Sequence, residues 1–263
     1  MMAARPVLAA LVLCVPLTVA RAEQNTAGTG ASTYVIVHGA WAGGWEWKNA
    51  GDLLQSHGHA VYRPTHTGQG ERVHLASPDI DLDVHIQDVV NVILWEDLRD
   101  IILVGHSYGG MVITGVVDRL HDRVRHVIYV DAFLPEDGES LYTTLGRTGR
   151  ERPAPDGFVA LGKDHETKPP PHVVPQSAKT FSQPISLKNQ AAAGRVPTTY
   201  ILTVDKGKGR DTDGFFGFYE RAEARGWKAL VMEGDHIVHL TQTARLVEIL
   251  ETEVGGSNTA GAR

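Results

Sequence analysis

Cysteine is almost absent from this chain: Cys14 is the only one in 263 residues. A chain with one thiol can form no internal disulfide, and clusters of several thiolates around zinc or iron–sulfur centres are excluded with it. Positive charge is also in short supply, with 25 Lys and Arg against 31 Asp and Glu for a formal net charge of −6. That balance is the wrong one for a nucleic-acid surface, so no nucleic-acid partner is expected. Beyond residue 22 no apolar run is long enough to span a bilayer, and no motif recurs at a fixed period, which excludes a membrane bundle and a repeat array.

The one apolar stretch of note comes first. "MMAARPVLAALVLCVPLTVARA" reads as an export signal: Arg5 supplies the positive start, Pro6 to Ala20 a short apolar core, and Ala20-Arg21-Ala22 a small-x-small cleavage site. Cleavage there makes Glu23 the first residue and removes Cys14, leaving no cysteine nucleophile. A retained anchor helix is the competing reading. The expected organisation is a signal peptide over 1–22, a flexible leader over 23–32, one domain over 33–254 and a frayed tail over 255–263, in an exported protein with no stable membrane insertion after cleavage. Periplasmic or secreted localisation follows.

Inside the domain, apolar runs alternate in type. "TYVIVHG" (33–39), "AVYRP" (60–64), "IILVG" (101–105), "VRHVIYVD" (124–131), "TTYILTVD" (198–205) and "KALVMEG" (228–234) are short and rich in β-branched residues. Helical spacing fills the intervals at 45–58, 82–98, 107–120, 214–225 and 241–254. Strands alternating with helices predict an α/β fold, a mostly parallel sheet with helices on both faces. Residues 135–197 break the pattern. They hold most of the chain's thirteen prolines, including "KPPPHVVPQ", and a proline-rich segment cannot supply central strands. This stretch is read as an inserted cap, a disordered loop being the alternative.

The chemistry starts at Gly105-His106-Ser107-Tyr108-Gly109, which lies between an apolar strand and a helix. In that setting G-x-S-x-G is a nucleophile elbow, a strained turn that lifts the serine hydroxyl clear of the backbone while Gly105 and Gly109 remove side chains that would collide. A capping serine would explain the helix start but not the paired glycines. A serine hydroxyl needs a base, and the base needs an orienting acid. With the order serine, acid, histidine that accompanies this turn, the base is His236, directly after the strand at 228–234; His239 is assigned a structural role, and His165 and His172 fall in the cap. Asp205 and Asp131 each close a strand. Asp205 is preferred because the acid more often follows the later strand, with Asp131 its competitor, while Asp235 is read as a turn residue. The oxyanion needs two N–H donors, assigned to Tyr108 and to Ala40 in the glycine-rich loop "VHGAWAGGW" (37–45).

Taken together, "VHGAWAGGWEW", "GHSYGGMV", "TVDKG" and "GDHIVHLTQTARLVEIL" resemble the plant methylesterase and hydroxynitrile lyase branch of the α/β-hydrolases and its bacterial esterase relatives, from about Tyr34 to Val254. The resemblance implies the α/β-hydrolase fold, the triad Ser107, Asp205 and His236, the donors Ala40 and Tyr108, and no metal or organic cofactor. Lyases of that branch carry a threonine after the first-loop histidine and a lysine after the catalytic one. Here those positions are Gly39 and Ile237, which favours hydrolysis of a small-molecule ester. Two other readings remain: a lyase acting on cyanohydrin-type adducts, and a ligand-binding homologue without turnover. "EDGESLYTTLG", Phe158 and Phe181 are the expected apolar lining of the pocket.

Overall fold

The computed structural model describes residues 30–147, 156–159 and 169–255. The segments expected to be an export signal, most of the expected leader, the expected tail beyond residue 255 and His165 lie outside the described residues. Six parallel strands form the main sheet in the spatial order β2-β1-β3-β4-β7-β8: β1 is Thr33–Val37, β2 Ala60–Tyr62, β3 Ile101–Ser107, β4 Val124–Ala132, β7 Thr198–Val204 and β8 Lys228–Glu233. The two strands between β4 and β7 in sequence, β5 (Phe158–Val159) and β6 (Gln176–Ser177), pair with each other antiparallel outside that sheet.

The unbroken apolar runs of the strands follow from burial on both faces. Tyr34, Ile36, Ile102, Val104, Ile128, Val130 and Ile201 point to the side covered by α1 (Lys48–Ser56) and α9 (Thr243–Gly255). Their neighbours Val35, Val37, Ile101, Leu103, Val127, Tyr129, Tyr200 and Leu202 point to the side covered by α2 (Leu82–Trp95), α3 (Gly109–Leu120) and α7 (Phe216–Ala224). Side chains alternate across each strand, so every second residue feeds a different core.

One expected helix ends earlier than its spacing. The helix expected to reach Leu98 stops at Trp95, because Asp97 takes a left-handed conformation (φ 45°) and the Leu98 N–H returns to the Ile93 carbonyl at 2.8 Å. The last helix, expected over 241–254, is α9, and a separate turn, α8 (Val238–Thr241), precedes it. Gln242 breaks the helix between them (φ −136°), and its Nε2 donates to the Glu233 carbonyl at the end of β8.

Within the proline-rich stretch the described residues are ordered into one-turn helices α4 (Leu141–Thr144), α5 (Lys179–Ser182) and α6 (Gln190–Ala193) together with the β5–β6 ribbon. Helix α4 begins with a reciprocal capping pair: the Thr143 N–H donates to Ser140 Oγ, and the Ser140 N–H to Thr143 Oγ1. Asp118 of α3 ties the returning chain down by accepting from the amides of Lys188 and Asn189.

Candidate active site

The sheet reverses its direction of winding between β1 and β3: the chain leaves β1 for β2 on one side and returns to β3 on the other. Loops after such a pair of strands diverge and leave a crevice at the carboxyl edge. Ser107 closes β3 at that edge. Its φ is 54°, a left-handed value that a serine adopts only where its surroundings impose it, and α3 starts two residues later.

Both glycines of the elbow are required, for reasons the spacing alone did not show. A Cβ on Gly109 would lie 2.6 Å from the Val37 carbonyl oxygen and 2.8 Å from that of His38, and one on Gly105 would lie 2.9 Å from the Gly109 carbonyl oxygen and 2.6 Å from Ile113 Cδ1. The clash is with β1 and α3, not with the serine itself: small residues let the elbow press against the end of β1. Gly110 is as tight, its Cβ position being 2.0 Å from the Phe133 carbonyl oxygen.

Ser107 Oγ lies 3.0 Å from His236 Nε2, and His236 Nδ1 lies 2.5 Å from Asp131 Oδ2. With the Nδ1 proton donated to the carboxylate, Nε2 is left to accept from the serine hydroxyl. The carboxylate that meets His236 is therefore that of Asp131, not Asp205. Both aspartates end strands at the same edge, but β4 is the immediate neighbour of β3 while β7 is one strand further away. Asp131 has φ 45° and is 1% exposed, with Oδ1 accepting from the Thr203 N–H. Asp205 is 51% exposed and its carboxylate pairs with Lys208 Nζ at 2.7 Å. Nothing brings Asp205 to His236.

His236 is held by two aromatic neighbours. Phe215 stacks on the His236 ring (centroids 4.9 Å apart, planes 13° off parallel), and the His106 ring lies 4.6 Å away on a tilt. His106 Nε2 donates to the His236 backbone carbonyl at 2.7 Å. Burial pushes the His106 pKa well below the ordinary range, so it serves as a neutral donor that stitches the elbow to the loop of the base. His239 is fully buried, stacked on Trp47 at 4.7 Å, in keeping with a structural role. Asp235 accepts from the Ile237 amide and from Thr241 Oγ1, as a turn residue does. His172 belongs to the cap stretch and takes no part in this relay. Phe215 was not singled out from the sequence, where one aromatic before a helix carries no distinguishing signal.

Ala40 lies three residues beyond β1, in the loop where a Cβ on Gly39 would lie 3.2 Å from Ser107 Cβ, and Tyr108 directly follows Ser107; among the described residues neither amide donates to an intramolecular acceptor. Beneath them lies a row of buried rings. The His38 Nδ1–H donates to the Gly39 carbonyl, and His38 Nε2 accepts from the His66 amide. His66 stacks on His85, whose Nδ1 is 3.0 Å from the Tyr108 hydroxyl.

Residues 34–249 match the alpha/beta hydrolase family. A carbendazim hydrolyzing esterase from Nocardioides sp. is 35% identical over 83% of this chain and 98% of its own length. Methylesterase 2 of Arabidopsis thaliana is 28% identical over 41% of each chain. Among solved structures, a methylesterase from Arabidopsis aligns with a TM-score of 0.69 at 23% identity, covering 86% of this chain and all of that one. An extracellular alpha/beta-hydrolase from a Paenibacillus species aligns at 0.68 and 23%, covering 84% and 98%; at such identities the likeness is one of fold.

Proposed function

Because this chain belongs to the alpha/beta hydrolase family and is a carboxylesterase-type serine hydrolase, we propose that Ser107, His236 and Asp131 carry its reaction. His236 Nε2 accepts the Ser107 hydroxyl proton as Oγ bonds to the ester carbonyl carbon. The oxyanion that forms is held by the Ala40 and Tyr108 amides, and by the positive end of α3. Collapse of the adduct breaks the ester C–O bond, and the proton on His236 passes to the departing alcohol. Water then gives His236 a proton as it attacks the acyl-serine, and the proton returns to Oγ as the acid leaves. Asp131 stabilises the imidazolium at both stages.

The observation that carries this reading is the unbroken relay from Ser107 Oγ through His236 to Asp131, ending on a serine with φ 54°. It is tested by titration with a fluorophosphonate probe. Stoichiometric labelling at Ser107, with loss of p-nitrophenyl acetate hydrolysis in proportion, is expected. Rapid labelling of a protein that turns over no ester would leave a ligand-binding homologue instead.

The substrate class is read from the ester-cleaving relatives and from the aromatic ring stacked on His236. Phe181 lies 5.6 Å from both Trp41 and Tyr108 and 6.0 Å from Tyr142, and Phe215 covers the base. Phe181, Tyr108 and Tyr142 are buried in the core, whereas the half-buried Phe215 offers an aromatic face beside His236 that suits small or aryl carboxylic esters. A cyanohydrin lyase needs a cation beside the base for the departing anion, and the side chain after His236 is the exposed, apolar Ile237. No helix among the described residues is long and apolar enough to cross a membrane. The N-terminal signal pattern supports export to the periplasm or medium, for which a mature N-terminus at Glu23 is the check.

A further inference from the structure

We propose that the cap completes the oxyanion hole, with Gln176 as the positioning residue that sets the Ala40 amide; the inference rests on the serine-hydrolase reading above. Trp41, the residue after Ala40, has φ 63°, a conformation that a large aromatic side chain adopts only when its neighbours enforce it. All three of its polar groups are taken by the cap. The Trp41 N–H donates to Gln176 Oε1 at 2.8 Å, its carbonyl accepts from the Val174 N–H at 2.8 Å, and its indole N–H donates to the Val159 carbonyl at 3.1 Å.

Gln176 is built for this task. It is fully buried on β6, and its other amide end donates to Thr180 Oγ1 at 2.8 Å, which fixes the orientation of the side chain. The Thr180 hydroxyl in turn donates to the Ser177 carbonyl. The strand partner of Gln176 is Val159, the residue that holds the Trp41 indole. The β5–β6 ribbon thus grips Trp41 at backbone and ring together. The peptide plane that carries the Trp41 N–H also carries the Ala40 carbonyl, so gripping Trp41 limits how Ala40 can turn its own N–H toward the substrate oxygen. A donor must sit within a few tenths of an ångström of its place to act on the transition state. The cap therefore does more than shape a pocket: its hydrogen bonds determine where one of the two oxyanion donors points.

The test compares Gln176→Met and Gln176→Asn, which remove or shorten the acceptor, with Gln176→Glu, which keeps an acceptor for the Trp41 N–H. Ser140→Ala is the control; it loosens the α4 cap and leaves Trp41 untouched. Removing an oxyanion donor outright costs about 10²- to 10³-fold in rate, and displacing one should cost roughly 10- to 100-fold in kcat. KM should change little and the pH profile should keep its midpoint, because His236 is unaltered. Affinity for a trifluoromethyl ketone, which mimics the tetrahedral adduct, should fall in step with kcat/KM across the series, and Gln176→Glu should recover most of both. A kcat within twofold of wild type in Gln176→Asn would overturn the proposal. So would lost turnover with unchanged inhibitor affinity, or an equal loss in Ser140→Ala at matched thermal stability. Should Gln176→Met not fold, the Asn and Glu pair decides. Failure of the wild type to react with fluorophosphonate would instead remove the serine-hydrolase reading beneath it.

Discussion

Acidification from about pH 7.5 to about pH 5.5 should cost this protein about 4 kcal/mol of stability, from three buried histidines that the folded chain keeps neutral. His66 is fully buried between His38 and His85, its ring centroid 4.1 Å and 4.5 Å from theirs, and neither of its nitrogens has a partner. His106 is 2% exposed, and burial depresses both groups well below the usual histidine range. His85 is pushed down to about 3, again by burial. Its Nε2–H donates to the Thr67 carbonyl, which leaves Nδ1 to accept from Tyr108. In the unfolded chain each regains an ordinary value near 6.5. Below that value the unfolded form binds more protons than the folded one, so the stability is fully present above about 6.5 and is lost as the pH falls. Each group removes about 1.4 kcal/mol over the two-unit window. Against a typical total of about 5–15 kcal/mol this is a large fraction, and it precedes the carboxylates, most of which titrate lower. Urea unfolding at several pH values reads it directly, as a slope near pH 5.5 of about 4 kcal/mol per unit. His66→Phe should keep the ring stack and lower that slope by about a third. A urea midpoint that stays constant across the window would refute the reasoning, and so would a slope unaffected by His66→Phe.

The acid can be assigned by kinetics: Asp131→Asn should lower ester turnover by about 10³- to 10⁴-fold, while Asp205→Asn should leave it within about twofold, since that carboxylate only holds an exposed ion pair. Equal losses from the two, or a loss from Asp205→Asn alone, would return the acid to β7. The wild type should show no release of cyanide from mandelonitrile above the buffer rate, measured by cyanide assay, and release faster than any ester cleavage would replace the hydrolase with a lyase. Gly39→Thr should weaken ester hydrolysis even when it folds, because a Cβ there lies 3.2 Å from both Ser107 Cβ and His106 Nδ1; steady-state kinetics with p-nitrophenyl acetate check this.

The sequence by itself determined the sheet, the turn that carries Ser107 and the position of His236. β-Branched runs of the right length between helical spacings can bury both faces only as a parallel sheet. A glycine-flanked serine between a strand and a helix has few conformations open to it, and His236 follows the last strand directly. These are local facts, written within a few neighbouring residues. The choice of acid is not local. Asp131 and Asp205 each close an apolar strand, and only the spatial order β3-β4-β7 puts one of them against His236, with its backbone turned to φ 45° and the Thr203 amide holding the far oxygen. Phe215 and Gln176 were equally invisible. The hydrogen bond from Trp41 to Gln176 spans 135 residues and depends on a proline-rich segment folding back against the loop after β1, and no pattern of spacing encodes where such a segment lands. Periodicity specifies how each element meets the core; which side chains meet one another at the carboxyl edge is decided when the elements pack, because side chains far apart in the chain reach a few ångströms of each other only through strand order and loop return.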